Sequence, residues 1–159
     1  MTSSAPPAVR FDSPEQEVFL NLWRTYDRLR ALEDHLFSRY DLTPQQYNVL
    51  RLLRAEHPRA LPTLTLAERL VSRAPDITRM LDKLEERGLI VRERPPANRR
   101  TVLVAIATAG QALLRQIAEP LRQCHARQLG HLTSADLTRL GVLLRAARAP
   151  HEDGDSPWR

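Results

Sequence analysis

Residues 76–106 read DITRMLDKLEERGLIVRERPPANRRTVLVAI. The first half of this stretch places apolar side chains at helical spacing, namely Ile77, Met80, Leu81 and Leu84. The pattern stops at Gly88, a residue that favours the left-handed end of a helix. Two β-branched runs then follow, 89–94 and 101–106, and they predict the two strands of a hairpin. The stretch therefore predicts a helix over about 75–87, which we call the reading helix, and a β-hairpin after it.

Two helices with clear start signals are predicted before this stretch. Each begins with a capping residue followed by proline, which suits the first turn of a helix, namely Ser13-Pro14 and Thr43-Pro44. An apolar stripe at three- and four-residue steps continues the first helix to about residue 40. The second helix is expected to stop before His57-Pro58.

Three further helix starts are predicted from capping boxes, in which a Ser or Thr and an acidic or amide side chain stand three residues apart. These pairs are Thr65 with Glu68, Thr108 with Gln111, and Thr133 with Asp136. The first opens a short helix directly before the reading helix, and the other two open the last long helices.

Two short helices joined by a turn and followed by a hairpin are the order of a winged helix-turn-helix, whose second helix enters a DNA major groove. We predict a mainly α fold with this module as its centre and the hairpin as a small wing. The predicted boundaries are a loose arm at 1–12, one domain at 13–148, the winged module at about 42–107, flanking helices at about 13–40 and 108–148, and a loose tail at 149–159.

The outer face of the reading helix carries side chains that suit base edges. Arg79 can donate to guanine O6 and N7, and Thr78 can contact a thymine methyl group or a phosphate. Asp76 can accept from a cytosine amine or simply cap the helix. The alternative interpretation is that Arg79 forms a solvated ion pair with Asp76 or Asp82 on the same helix, and Lys83 one with Glu86.

The hairpin favours the DNA interpretation because its tip is basic. Residues 88–100 hold four arginines and one acid, a net charge of +3. An exposed arginine at a hairpin tip suits an electronegative minor groove. The predicted DNA contacts are Ser72, Arg73, Pro75, Asp76, Thr78, Arg79, Lys83, Arg94, Asn98, Arg99 and Arg100.

Composition limits the other functions. The chain has 159 residues, 24 basic and 19 acidic side chains and a net charge of +5, so an acidic partner such as nucleic acid is permitted. Neither a membrane-spanning run nor an export signal is recognised, and a single cysteine favours a reducing, cytoplasmic setting. Enzyme motifs are not found, and we predict no catalytic residues and no cofactor.

Cys124 stands near His125 and His131, which raises the question of a metal site. Two or three candidate ligands on one helix do not close a site, so we predict a buried thiol and surface imidazoles instead, with no bound metal.

Four motifs resemble those of the MarR (multiple-antibiotic-resistance regulator) family of bacterial transcription factors. In order, they are LTPQQYNVL at 42–50, LAERL at 66–70, DITRMLDKLEERGLI at 76–90 and NRRTVLVAIATAG at 98–110. The resemblance covers about residues 13–148. It implies a homodimer in which the first, fifth and sixth helices interlock. We predict a repressor, and the twofold symmetry of the dimer predicts a pseudo-palindromic operator with half-sites about 10 bp apart.

The resemblance also implies individual roles. The Asp-x-Arg pair of the family's wing corresponds to Asn98 and Arg100 here, with Arg100 entering the minor groove. The family's threonine before the fifth helix is replaced by Ala107, and Thr108 is expected to take over the cap. A small-molecule effector pocket is implied near the first helix. Its candidate lining residues, which are alternatively core residues, are Trp23, Tyr26, His35 and Arg39.

Two other functions remain open from the residues alone. The first is a helical module whose basic hairpin binds an acidic protein surface and has no DNA activity. The second is a sequence-blind RNA-binding protein, which would need aromatic residues for stacking beside the arginines. Residues 87–107 contain no Phe, Tyr or Trp, which argues against RNA.

Overall fold

The computed structural model describes residues 10–72 and 74–158, so most of the predicted arm, and Arg73, lie outside the described residues. The described part is mainly helical, with one small sheet. Its elements are α1 (Pro14–Ser38), α2 (Pro44–Glu56), β1 (Leu61–Pro62), α3 (Thr63–Arg69), α4 (Ile77–Glu86), β2 (Ile90–Glu93), β3 (Leu103–Ile106), α5 (Thr108–Leu129) and α6 (Ser134–Arg148).

Three predicted helix starts are confirmed because each depends on a hydrogen bond within one turn. Ser13 Oγ accepts from the Gln16 amide at 3.1 Å, and Thr133 Oγ1 accepts from the Asp136 amide at 3.1 Å. Thr43 forms the complete reciprocal capping box at the start of α2. These side chains satisfy amides that would otherwise lack a partner.

The predicted capping residues of α3 and α5 are wrong, although α5 begins at about the predicted residue. Helix α3 begins at Thr63, two residues before the expected cap Thr65, and its N-cap is Pro62, with no side-chain cap bond. Helix α5 begins at Thr108, so Thr108 lies within the helix and Ala107 is the N-cap, again without a side-chain bond. Both starts are held by strand contacts instead of local caps.

Those strand contacts belong to a three-stranded antiparallel sheet in the order β1-β3-β2. The predicted hairpin of β2 and β3 is confirmed, with Ile90 opposite Ile106. The short strand β1 was not predicted. It pairs with β3, and the adjacent Thr63 amide donates to the Val102 carbonyl at 3.0 Å.

One core joins the end of α1 to the winged module and α5. Phe37 stacks on Tyr47 at 4.8 Å between ring centroids. The most deeply buried side chains are Phe37, Leu50, Leu53, Leu66, Leu81, Leu84, Ile90, Leu114, Ile117, Val49 and Val104. This core holds α4 and the hairpin in a fixed relation.

Two glycines shape the junctions between the wing and its neighbouring helices: Gly88 turns the chain after α4, and Gly110 lets α5 lie close to the start of the wing. Gly88 has φ +67, as predicted for a left-handed helix end. At Gly110 an added Cβ would collide with the Leu89 carbonyl oxygen, so α5 approaches the wing at a distance that no side chain permits.

Two helices leave large apolar surfaces uncovered. On α1 the exposed apolar side chains are Val18, Phe19, Leu20, Leu22, Trp23 and Tyr26. Helix α6 has no buried residue at all, and it exposes Leu137, Leu140, Val142, Leu143 and Leu144. Exposed apolar surface on two long helices is a common feature of protein–protein contact sites.

The segment predicted as a loose tail is folded back on α6 in this structure. Ala149–His151 form a 3₁₀ turn. The Arg148 guanidinium donates twice to the Trp158 carbonyl, at 3.1 and 2.7 Å, and pairs with Glu152 at 3.0 Å. Among the described residues, every helix is too short or too polar to cross a membrane.

Candidate nucleic-acid interface

Helix α4 is anchored on one side and open on the other. Leu81 and Leu84 are buried, whereas Thr78, Arg79 and Lys83 are exposed. The helix is shorter than the predicted 75–87 because Pro75 and Asp76 precede it. The helical repeat places Arg79 and Lys83 opposite the buried face, as the sequence predicted.

Asp76 is the N-cap of α4. Its Oδ1 accepts from the Arg79 amide at 3.0 Å. Of the two roles left open for this carboxylate, the structure supports the cap. The capping bond places Asp76 at the end of α4 that also presents Thr78 and Arg79.

The ion pairs within α4 that the alternative interpretation requires are not formed. Across residues 10–72 and 74–158, Arg79 and Lys83 take part in no salt bridge. Asp82, one of the expected partners, pairs instead with Arg92 of the wing at 2.6 Å. The two cations of α4 are therefore available to another molecule.

Arg92 connects the wing to α4. From the sequence it counted only as one of the four basic residues of the wing, and this role was not predicted. Its guanidinium also reaches Glu85 at 2.5 Å. This hydrogen-bonded contact lowers the pKa of Glu85, and it raises the pKa of Arg92. Because Arg92 shares a strand face with buried Ile90, the two-residue repeat of a strand already indicated that it points inward.

Glu85→Gln is expected to lower the free energy of unfolding at pH 7. The lowered pKa of Glu85 means that the folded state favours the carboxylate. Its contribution is present above the ordinary glutamate pKa and is lost as the pH falls through the lower folded value. Urea unfolding at pH 7 and at successively lower pH should show the two proteins converging. Glu86→Gln, on the exposed side of α4, is the control, and a gap that widens toward acid would contradict the pairing.

The wing tip is a compact turn organised by Asn98. The backbone N–H of Asn98 donates to the Pro95 carbonyl at 3.0 Å. Its side-chain Oδ1 accepts from the backbone N–H of Arg100 at 3.2 Å. Arg94 donates to the Arg99 carbonyl at 3.1 Å. Asn98 thus orders the backbone of Arg100 without a charge. The side chains of Arg94, Asn98, Arg99 and Arg100 are all exposed at this tip.

A cleft of about 800 Å³ separates the wing from α4. Thr78, Asp82 and Glu85 line it from the helix, and Arg94 and Arg100 line it from the hairpin. Thr78 therefore faces the wing, whereas Arg79 lies further round the helix. The cleft is open to solvent, so the polar face of α4 and the basic tip border one continuous surface.

Ser72 lies on the same side of the molecule as the start of α2. Its Oγ accepts from Gln45 Nε2 at 3.4 Å. Gln45, exposed in the first turn of α2, was not among the predicted contacts. Pro75 is exposed ahead of α4.

The four candidate effector residues do not meet in one cavity of the single chain. Trp23 and Tyr26 are 63% and 62% exposed, and His35 and Arg39 are exposed further along α1. The two clefts that border α4 are lined by other residues. The alternative interpretation, that these side chains belong to the core of one chain, is wrong.

Cys124 is buried, as predicted, and burial raises the pKa of its thiol. The thiolate that metals and oxidants require is therefore disfavoured. His125 points elsewhere, with Nε2 at 3.3 Å from Glu33 Oε1. His131 is exposed.

Known proteins resemble this chain in both sequence and structure. The sequence model of the MarR family matches residues 42–102. A MarR transcription factor from Planctomyces limnophilus is 54% identical, with a TM-score of 0.69 and coverage of 86% of this chain and 99% of that one. The homoprotocatechuate degradative operon repressor of Escherichia coli is 33% identical over 108 residues, 61% of this chain and 72% of that protein.

A mutant MarR from E. coli, solved in complex with operator DNA, has the same fold. It is 25% identical, with a TM-score of 0.74 and coverage of 82% of this chain and 93% of that one. The family match spans α2, α4 and the wing tip, which carry the candidate interface residues described above. The chain belongs to the MarR family of transcriptional regulators.

Proposed function

We propose that this chain binds a double-stranded DNA operator as a homodimer and represses transcription from it until a small-molecule effector binds. The observation that carries the proposal is the state of α4, which is anchored by Leu81 and Leu84 while Arg79 and Lys83 are exposed and unpaired among the described residues. In this arrangement α4 lies in a major groove and the wing tip in the flanking minor groove. The E. coli relative of the same fold was solved with operator DNA, which supports binding to an operator.

The two parts of the interface would have different roles. The segment 75–87 holds three basic and four acidic residues, so its contribution is directional hydrogen bonding to base edges. The wing tip is cationic, and after Arg92 is assigned to its internal pair, the arginines left for DNA are Arg94, Arg99 and Arg100. Specificity would therefore depend on α4, and salt-sensitive affinity on the wing. The remaining predicted contact, Arg73, lies outside the described residues.

The homodimer is supported by the uncovered faces of α1 and α6. A 15-residue helix without a buried side chain is marginal in water unless another surface covers it. In a dimer, the apolar sides of α6 and of the first half of α1 in one copy would be covered by the same helices of the other copy. A twofold dimer then presents two α4 helices to successive turns of DNA.

An effector site would form only in the dimer. Trp23 and Tyr26 are exposed in one chain, so a pocket that includes them and His35 or Arg39 needs a second copy. An effector that prefers a dimer with misplaced α4 helices would release the operator by population shift.

Binding to the DNA upstream of the chain's own gene tests the proposal. Fluorescence anisotropy with that DNA and with a scrambled duplex of equal length should show a preference for the first at about 100 mM salt. The affinity should fall as salt rises, because phosphate contacts release counterions. If no sequence-preferring complex forms, the helical module that binds an acidic protein surface becomes the better interpretation.

A further inference from the structure

Arg87 lies at the junction between α4 and the wing. It is the C-cap residue of α4, and Gly88 then turns the chain toward β2. The Arg87 side chain crosses to the turn that follows α1. There Nη1 donates to the Asp41 carbonyl oxygen, and Nη2 donates to the Tyr40 carbonyl oxygen at 3.1 Å. One guanidinium therefore joins α4 to the end of α1.

The turn that Arg87 holds has an unusual backbone. Asp41 has φ 51, in the left-handed region that non-glycine residues seldom adopt. Leu42 then returns to the core, with its amide donating to the Phe37 carbonyl at 3.1 Å. The carbonyls bound by Arg87 follow the C-terminal end of α1, where partial negative charge favours a cation. The forked geometry of arginine suits two carbonyls, whereas a lysine is a single point charge.

This turn is also where the DNA-binding part of the chain is joined to the part proposed for dimerisation. The first half of α1 is exposed apolar surface, and Leu36 and Phe37 near its end enter the core. A cleft of about 500 Å³ lies between the turn and α4. Since packing does not fill this cleft, the hydrogen bonds of Arg87 are a direct link across it.

We propose that Arg87 is a positioning residue for operator binding, which fixes the angle between α4 and α1 and so the separation of the two α4 helices in the dimer. This inference rests on the proposed function. Without the clamp, α4 and the wing can tilt together relative to the end of α1, and each reading face remains intact. The loss should therefore appear in the preference for half-site spacing, and base recognition at one half-site should be kept.

The test compares wild type, Arg87→Ala and Arg87→Lys on four duplexes. These carry the operator with native half-site spacing, the same half-sites one base pair closer or further apart, and a single half-site. Arg87→Ala is expected to lose about tenfold in affinity at the native spacing, little at the single half-site, and hence most of its spacing preference. Arg87→Lys should be intermediate. Arg59→Ala, which removes an exposed arginine paired with Glu56 at 2.9 Å, is the charge control.

An unchanged spacing preference in Arg87→Ala would overturn the inference, as would an equal loss on all four duplexes. A second measurement needs no DNA. Nitroxide labels on Val91→Cys, an exposed wing position, report the distance between the two reading heads, and Cys124 is buried. The distance distribution should broaden in the Arg87→Ala background, and an unchanged distribution contradicts the clamp. A wild-type dimer that binds no operator would overturn the proposed function, while the label distances still decide the role of Arg87.

Discussion

Leu140→Asp is expected to dissociate the proposed dimer and to weaken operator binding about a hundredfold or more, because two linked half-site contacts become one. Leu140 lies in the middle of α6, on an apolar stripe with Leu137 and Leu144. Burying one leucine contributes about 1.5–3 kcal/mol. In a twofold dimer each substitution is present in both copies, so the loss of binding free energy is doubled. A carboxylate at this position adds the cost of removing a charge from water.

Sedimentation equilibrium and operator titration measure the two effects of Leu140→Asp separately. Circular dichroism should show a loss of helix as well, because α6 has no buried residue within its own chain. Thr138→Asp is the matched control, since it adds the same charge to α6 on the side opposite Leu140. A Leu140→Asp protein that remains dimeric would show that α6 is not the dimer interface.

Arg79→Ala and Arg100→Ala are expected to weaken operator binding in two distinguishable ways. Arg79 lies on the outer face of α4 and Arg100 at the wing tip, and both are exposed. Removing a bidentate contact to guanine should cost about 1–3 kcal/mol and relax the preference at one base pair. Removing Arg100 should weaken binding to all sequences alike and reduce the salt slope by about one unit for each copy.

Affinities for a set of single-base operator variants, each at several salt concentrations, separate these two outcomes. Arg122→Ala is the control, because Arg122 is an exposed arginine that pairs with Glu119 on α5. If Arg79→Ala and Arg100→Ala both bind the operator as wild type does, then α4 and the wing are not the parts that contact DNA.

The sequence predicted helix caps correctly where the stabilising hydrogen bond joins residues close together in the chain, and failed where the bond joins residues far apart in the chain. The starts of α1, α2 and α6 depend on bonds to amides three residues away, so Ser13, Thr43 and Thr133 were sufficient to predict them. The start of α3 depends on a strand some 40 residues later, through the Thr63 amide and the Val102 carbonyl. The start of α5 depends likewise on the bond from the Ala107 amide to the Leu89 carbonyl. Local capping signals cannot report such pairings.

The same reasoning applies to the interface. The outward position of Arg79 and Lys83 follows from helical spacing and was predicted. The inward position of Arg92 was available from strand alternation, but its acidic partners lie on a separate element, α4. Arg87 had no local signal, because the carbonyls it binds are 46 and 47 residues away in sequence.

Lys83 is the only lysine in the chain, and it is exposed on α4. Reagents that acylate amines therefore have a single side-chain target, and this target lies on the face proposed to enter the major groove. The extent of acylation at Lys83, read by mass spectrometry with and without DNA, would report occupancy of that face at single-residue resolution. For the same reason, a protease that cleaves after lysine has a single recognition site in the sequence, within the reading helix. The arginine-rich composition of this protein thus supplies a built-in footprinting probe that requires no substitution.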